Sequence, residues 1–161
     1  MSNFPEAVQV LFAHEGRYVK DHHDFGGETN FGISKRQYPD LNIKNLTREK
    51  ARLIYYTDFW VRYRLDEVKN RTLSTQLLLS FANMSPHAAG TCIQKAANAL
   101  GAELFEDGVV GSKTLEKINS MPHAHLSDRL RIELSRFYIS RVIINKTQIK
   151  FLVGWLKRAL R

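Results

Sequence analysis

The sequence holds a single cysteine, Cys92, so no disulfide can form within the chain. Lying among Ala89, Ile93 and Ala96, that cysteine reads as a small core residue. Acid is scarce relative to base: 16 Asp and Glu stand against 24 Lys and Arg, a net charge of +8. Such an excess points to an anionic partner, with nucleic acid, anionic lipid and anionic polymer all admissible. The basic residues are scattered, with a slight excess toward Lys146, Lys150, Lys157, Arg158 and Arg161. No arginine-rich tract or nucleic-acid motif goes with them, which disfavours nucleic acid. Long hydrophobic runs are missing too: none approaches the roughly 18 apolar residues of a membrane span. The opening MSNFPEAVQV has neither a basic start nor an apolar core, so no signal peptide is expected. Repeats, low-complexity tracts and Gly/Ser linkers are also lacking, which favours one compact body over two tethered domains.

What is present is ordinary globular chemistry, 43% hydrophobic and 25% charged over 161 residues. A chain of this length can bury roughly 70% of its unfolded surface. Phe4, Ala7, Val8, Leu11 and Phe12 repeat at the spacing of one helix face. Glu15 continues that stripe and Gly16 follows as a helix stop. A carboxylate held on an apolar face near the negative end of a helix dipole has its charged form disfavoured. That is the property a general acid working near neutral pH requires. Beyond it come the polar turn Asp21-His22-His23-Asp24, the pair Gly26-Gly27, and Thr29-Asn30-Phe31-Gly32-Ile33. These read as an irregular loop or short hairpin folding polar groups back over the glutamate.

The string from Glu15 to Ser34, E-G-x-Y-V-x-D-x-x-D-x-G-G-x-T-N-x-G-I-S, resembles the signature of glycoside hydrolase family 108. These are peptidoglycan-cleaving N-acetylmuramidases of phages and bacteria, some labelled secretion activators. The resemblance implies that Glu15 is the catalytic acid. The chain departs from the motif at Arg17, where the family usually has a second glycine; an arginine there could lower the acid's pKa or bind an anionic substrate group. The spacing also resembles the Glu, Asp, Thr triad of phage-type lysozymes, with Asp24 nine and Thr29 fourteen positions after Glu15. Glycoside cleavage needs one protonated carboxyl to donate to the leaving oxygen and one ionised carboxylate to activate water or steady positive charge. A threonine hydroxyl can orient that water or bond the second carboxylate. Bland alternatives stand beside these roles: a solvated surface glutamate, and Asp24 as a turn former. His22 and His23 point apart in most backbones and no third ligand follows at a typical spacing, so neither a metal nor another cofactor is expected.

Downstream the chain reads as helices. Ser34 caps a turn ended by Pro39, and Thr47 caps a helix bearing Ala51, Ile54, Tyr55 and Phe59. Tyr55, Tyr56, Phe59, Trp60 and Tyr63 form its most aromatic part; most should pack, while one or two could stack on sugar. A helix over about Leu73–Met84 is followed by Asn83-Met84-Ser85-Pro86, where relatives have N-x-G-P. Ser85 and Pro86 read as N-cap and first-turn proline of a helix that ends at Gly101. Asp107-Gly108-Val109-Val110-Gly111-Ser112 resembles the D-G-x-x-G-P element of small peptidoglycan-binding repeats, with Ser112 for proline and as helix cap. Helices over 126–144 and after a Thr147 cap complete the chain, and the F-L-x-G-W-x-x-R-A ending matches the family.

The expectation is a mainly α, lysozyme-like fold with a short irregular loop or β-hairpin after the first helix. Residues 1–70 would form the catalytic lobe, with 71–161 a helical peptidoglycan-binding-like part packed on it. The resemblance implies cleavage of the β-1,4 bond between N-acetylmuramic acid and N-acetylglucosamine. Glu15, Asp24 and Thr29 are the expected catalytic residues, and Arg17, Tyr18, Asn30, Tyr55 and Trp60 the expected substrate contacts. The expected partner is the peptidoglycan glycan strand, met by a monomer made in the cytoplasm and acting in the periplasm or wall after release or secretion. The rival readings are a catalytically silent wall-binding or secretion-accessory protein and, more remotely, a basic nucleic-acid binder. Arg17, Ser85 and Ser112 leave the first of these open.

Overall fold

A computed structural model describes residues 2–14, 18–20 and 27–160. The fold is mainly α-helical, as expected, and the chain divides into two units, Met1–Asp66 and Glu67–Arg161.

The first unit begins with α1, Phe4–His14, which buries Phe4, Ala7, Val8 and Leu11, the face set by the sequence spacing. Three short antiparallel strands follow in sheet order: β1 (Val19–Lys20), β2 (Glu28–Asn30) and β3 (Ile33–Ser34). Asn30 pairs with Ile33, so Phe31-Gly32 is a two-residue hairpin turn with φ of 52° and 77°. Positive φ at both positions is the geometry that matches strand twist; glycine adopts it freely, whereas phenylalanine is strained by about 1 kcal/mol. Ser34 then holds the next turn, accepting from the Gln37 amide through its hydroxyl and from the Tyr38 amide through its carbonyl.

Thr47 caps α2 (Arg48–Ile54), its hydroxyl accepting from the Lys50 amide at 3.2 Å. The helix then widens into a π-helical stretch over Tyr55–Val61. Such turns are rare and recur near functional sites. Tyr55, Phe59 and Trp60 are all buried along it. A short 3₁₀ turn, Leu65–Glu67, ends the unit, and Ser2 donates to the Asp66 carboxylate at 2.6 Å.

The second unit comprises α3 (Arg71–Asn83), α4 (Pro86–Asn98), α5 (Ser112–Ser120), α6 (His123–Ile144) and α7 (Ile149–Ala159). Asn70 caps α3 and Ser85 caps α4 ahead of Pro86, as the sequence indicates. Alanines 88, 89, 96 and 97 with Cys92 and Ile93 make the buried face of α4. Small side chains let α6 approach closely and bury Leu126, Leu130 and Leu134. On α7, the Trp155 ring stacks on Tyr138 of α6 at 5.3 Å.

Three terminus assignments need correction. The fourth helix stops at Asn98 rather than Gly101, and Gly101, at φ 90°, turns the chain after it. Ser112 is the first helical residue of α5, not its cap, because Gly111 keeps the extended backbone and its carbonyl accepts from the Leu115 amide. Thr147 lies within a 3₁₀ turn, Lys146–Gln148, whose cap is Asn145; the Asn145 side chain accepts from both the amide and the hydroxyl of Thr147. An asparagine leaving a helix takes this local bond readily, and it pre-empts the threonine.

Candidate active site

Glu15, Arg17 and Asp24 lie outside the described residues, as do His22 and His23. The described residues that flank them in sequence are the end of α1 and the strands β1 and β2. Thr29 is central in β2, paired with Val19 on one side and Ser34 on the other. Adjacent residues of a strand point to opposite faces. Asn30 is buried, its amide donating to the carbonyls of Ile43 at 3.1 Å and Leu46 at 3.5 Å. The half-buried Thr29 therefore faces away from that anchor.

That geometry corrects the role expected of Asn30. Its amide hydrogens close the loop over 43–46 onto the hairpin, so it is a positioning residue and not a substrate contact. Tyr55 and Trp60 need the same correction. Tyr55 is 2% exposed and Trp60 fully buried, so neither offers a ring face to a sugar. The Tyr55 hydroxyl donates to the Phe31 carbonyl at 2.9 Å, tying the hairpin turn to the π-helical stretch. Phe12 packs edge-on against both Phe31 and Tyr55. The Trp60 ring packs against Phe4, and among the described residues its buried indole N–H meets no acceptor. Most of these aromatics pack, as the sequence suggests; which of them pack is set by tertiary contacts that composition does not encode.

Tyr18 lies among the described residues. It is half-buried just before β1, and its hydroxyl donates to the Glu28 carboxylate at 3.2 Å. Its pKa is raised, first by desolvation and then by the Glu28 charge. Glu28 is a carboxylate that the motif reading passed over: it neighbours Thr29 in β2, and its Cα pairs with Lys20. Asp58, in the π-helical stretch, accepts from Tyr38 at 2.8 Å and from Thr57 at 2.8 Å. Burial and then the Asp58 bond hold the Tyr38 phenol well above its ordinary range.

Two adjoining grooves run along the α1–α2 face of this unit. One, of about 540 Å³, includes Phe4, Arg52, Leu53 and Tyr56; the other, of about 410 Å³, includes Val8, Phe12, Arg48 and Glu49. Arg48 lies over the Phe12 ring and Arg52 over the Phe4 ring, at 5.1 and 5.6 Å. Tyr56, half exposed, is the aromatic that composition could not separate from its buried neighbours.

In the second unit, the element resembling wall-binding repeats is a docked turn. Buried Gln94 of α4 donates to the Asp107 carboxylate at 2.8 Å and to the Val109 carbonyl at 3.1 Å, and accepts from the Gly108 amide at 2.7 Å. The Gln94 bond to Asp107, and next the bond from the Val109 amide, lower the Asp107 pKa. A Cβ on Gly90 would lie 1.9 Å from the Gly108 carbonyl oxygen, so the turn seats directly on the α4 backbone. Cys92 is buried in the same helix, and burial pushes its thiol up to about 12.

Residues 8–84 match the family glycosyl hydrolase 108, and residues 88–160 match the family described as predicted peptidoglycan domain. The first match runs from within α1 through α3. No curated protein matches the chain. Among solved structures, that of Brucella abortus SagA is similar in fold, with a TM-score of 0.73 at 24% identity over 98% of this chain and 93% of that one. The two family matches leave only the chain ends and residues 85–87 uncovered. Residues 8–84 are thus similar to the glycosyl hydrolase 108 family and residues 88–160 to the predicted peptidoglycan domain, a glycosidase-type segment followed by a peptidoglycan-type one.

Proposed function

We propose that this protein hydrolyses the β-1,4 bond between N-acetylmuramic acid and N-acetylglucosamine, with Glu15 donating the proton to the leaving oxygen. The observation that carries this reading is the match of residues 8–84 to a glycoside hydrolase family across the whole Glu15–Ser34 motif. The frame supports it: α1 buries its apolar face up to Leu11, and Glu15 continues that sequence register. Asp24 is the second carboxylate in this reading, activating water or steadying the sugar cation. Thr29, on the face of β2 away from the Asn30 anchor, orients the water or the carboxylate. Arg17 and Tyr18 contact the substrate, Tyr18 held by Glu28. The enzyme works as a monomer on glycan strands in the periplasm or wall, reached by release or secretion, and residues 71–161 serve as its wall-binding part.

Clearing of purified sacculi in a gel tests this directly. Wild-type protein clears the gel, while Glu15→Gln folds normally and clears at least about a hundredfold more slowly, the scale of a lost general acid. Equal clearing by the two removes Glu15 from the mechanism. Binding of sacculi without clearing by either protein selects the silent wall-binding reading, which Arg17, the third residue of the motif, keeps in play.

A further inference from the structure

The second unit ends in a helical hairpin, α6 and α7, whose tip is unusually apolar and unusually basic. Ile143 and Ile144 close α6 and Ile149 opens α7; they are 72%, 80% and 64% exposed. Phe151 and Val153 extend the exposed apolar surface along α7. From Leu134 to Arg161 the sequence carries seven Lys and Arg and no Asp or Glu, nearly the whole of the net +8. Arg141, Lys146, Lys150 and Lys157 are exposed, and the Lys150 ammonium sits 4.9 Å from the centre of the Phe151 ring.

Large aliphatic side chains in water cost roughly 1.5–3 kcal/mol each relative to burial, so a cluster at a hairpin tip marks a contact surface. Its charge selects the occupant. A second copy would bring like cationic tips together. Nucleic acid would take the cations and leave the isoleucines in water. An anionic bilayer satisfies both, since apolar side chains enter the headgroup–acyl boundary while lysine and arginine meet lipid phosphates.

We propose that the α6–α7 tip docks on an anionic phospholipid surface, inserting Ile143, Ile144 and Ile149 and setting Arg141, Lys146 and Lys150 against the headgroups. The contact is peripheral: among the described residues no helix is long and apolar enough to cross a membrane. It stands apart from the hydrolase reading and would hold the protein at a membrane beside its wall substrate.

Co-sedimentation of the whole chain with vesicles tests it. Vesicles of phosphatidylglycerol and phosphatidylcholine should retain the protein, pure phosphatidylcholine vesicles should not, and added salt should release it. Lys146→Gln and Lys150→Gln should each lower partition on the order of fivefold at low salt. Ile144→Asp with Ile149→Asp should lower it at least about tenfold, with unchanged melting. No retention on anionic vesicles, equal retention on neutral ones, or full retention of the Ile144→Asp/Ile149→Asp variant overturns the proposal. So does a concentration-dependent dimer abolished by those same aspartates, which would assign the tip to a second copy.

Discussion

Two turns, one in each unit, carry the most motif-like sequence in the chain, and they are built in opposite ways. The Phe31-Gly32 turn is held from outside. Asn30 anchors the strand to the carbonyls of Ile43 and Leu46, and Tyr55 bonds the Phe31 carbonyl. The Asp107-Gly108 turn is held from beneath, by three bonds to Gln94 and by backbone resting on backbone at Gly90. The first arrangement leaves Thr29 facing away from its anchors; the second commits Asp107 and Gly108 to the scaffold. Similar motif density therefore marks a site frame in one unit and a packing device in the other.

The sharpest way to break this contrast is Gly90→Ala. A Cβ there meets the Gly108 carbonyl group, and no rotamer change relieves a clash with backbone. The second unit should lose about 3 kcal/mol or more, seen as a lower urea midpoint. A loss under about 0.5 kcal/mol would show that the turn is not seated on α4. Asn30→Ala should cost about 1–3 kcal/mol by leaving two loop carbonyls without their donor, and clearing activity should fall with it. Retained stability would make Asn30 available for the substrate role first expected of it.

Alkaline titration sharpens the comparison from the second unit's side. The Cys92 thiol is raised from 9.0 to about 12, and the Tyr138 phenol from 10.0 to about 12, burial being the first cause in each. The unfolded chain can ionise these groups where the folded one cannot. Stability should accordingly fall as pH rises from about 9 toward 12. Cys92 should resist thiol reagents in the native protein and react fully in denaturant; rapid native labelling at mild pH would place it on the surface. Phe31→Asn should have the smallest effect. It relieves the left-handed strain, about 1 kcal/mol, but forfeits the edge-on contact with Phe12, about 0.5–1.5 kcal/mol. A change beyond about 1.5 kcal/mol would mean that one of these two effects is misjudged.

Much of the fold was legible. The Phe4–Leu11 spacing marks α1, Thr47 and Ser85 mark their caps, and Pro86 fixes the start of α4, because these signals act within one or two turns of chain. The π-helical stretch was not legible. The Tyr55–Phe59 spacing fits an ordinary helix as well, so local periodicity does not distinguish the two. Ser112 and Thr147 failed as caps for a related reason: each has a neighbour, Gly111 or Asn145, equally suited to the extended backbone position. The motif names Thr29 without its strand pairing, and the bonds of Asn30, Tyr55 and Gln94 depend on partners 13 to 24 residues away in sequence.

The central claim is tested most directly by mass spectrometry of glycan released from purified sacculi. New reducing ends should carry muramic acid, and Glu15→Gln should yield almost none. Reducing-end N-acetylglucosamine would contradict the assigned bond, and release undiminished in Glu15→Gln would contradict the assigned acid.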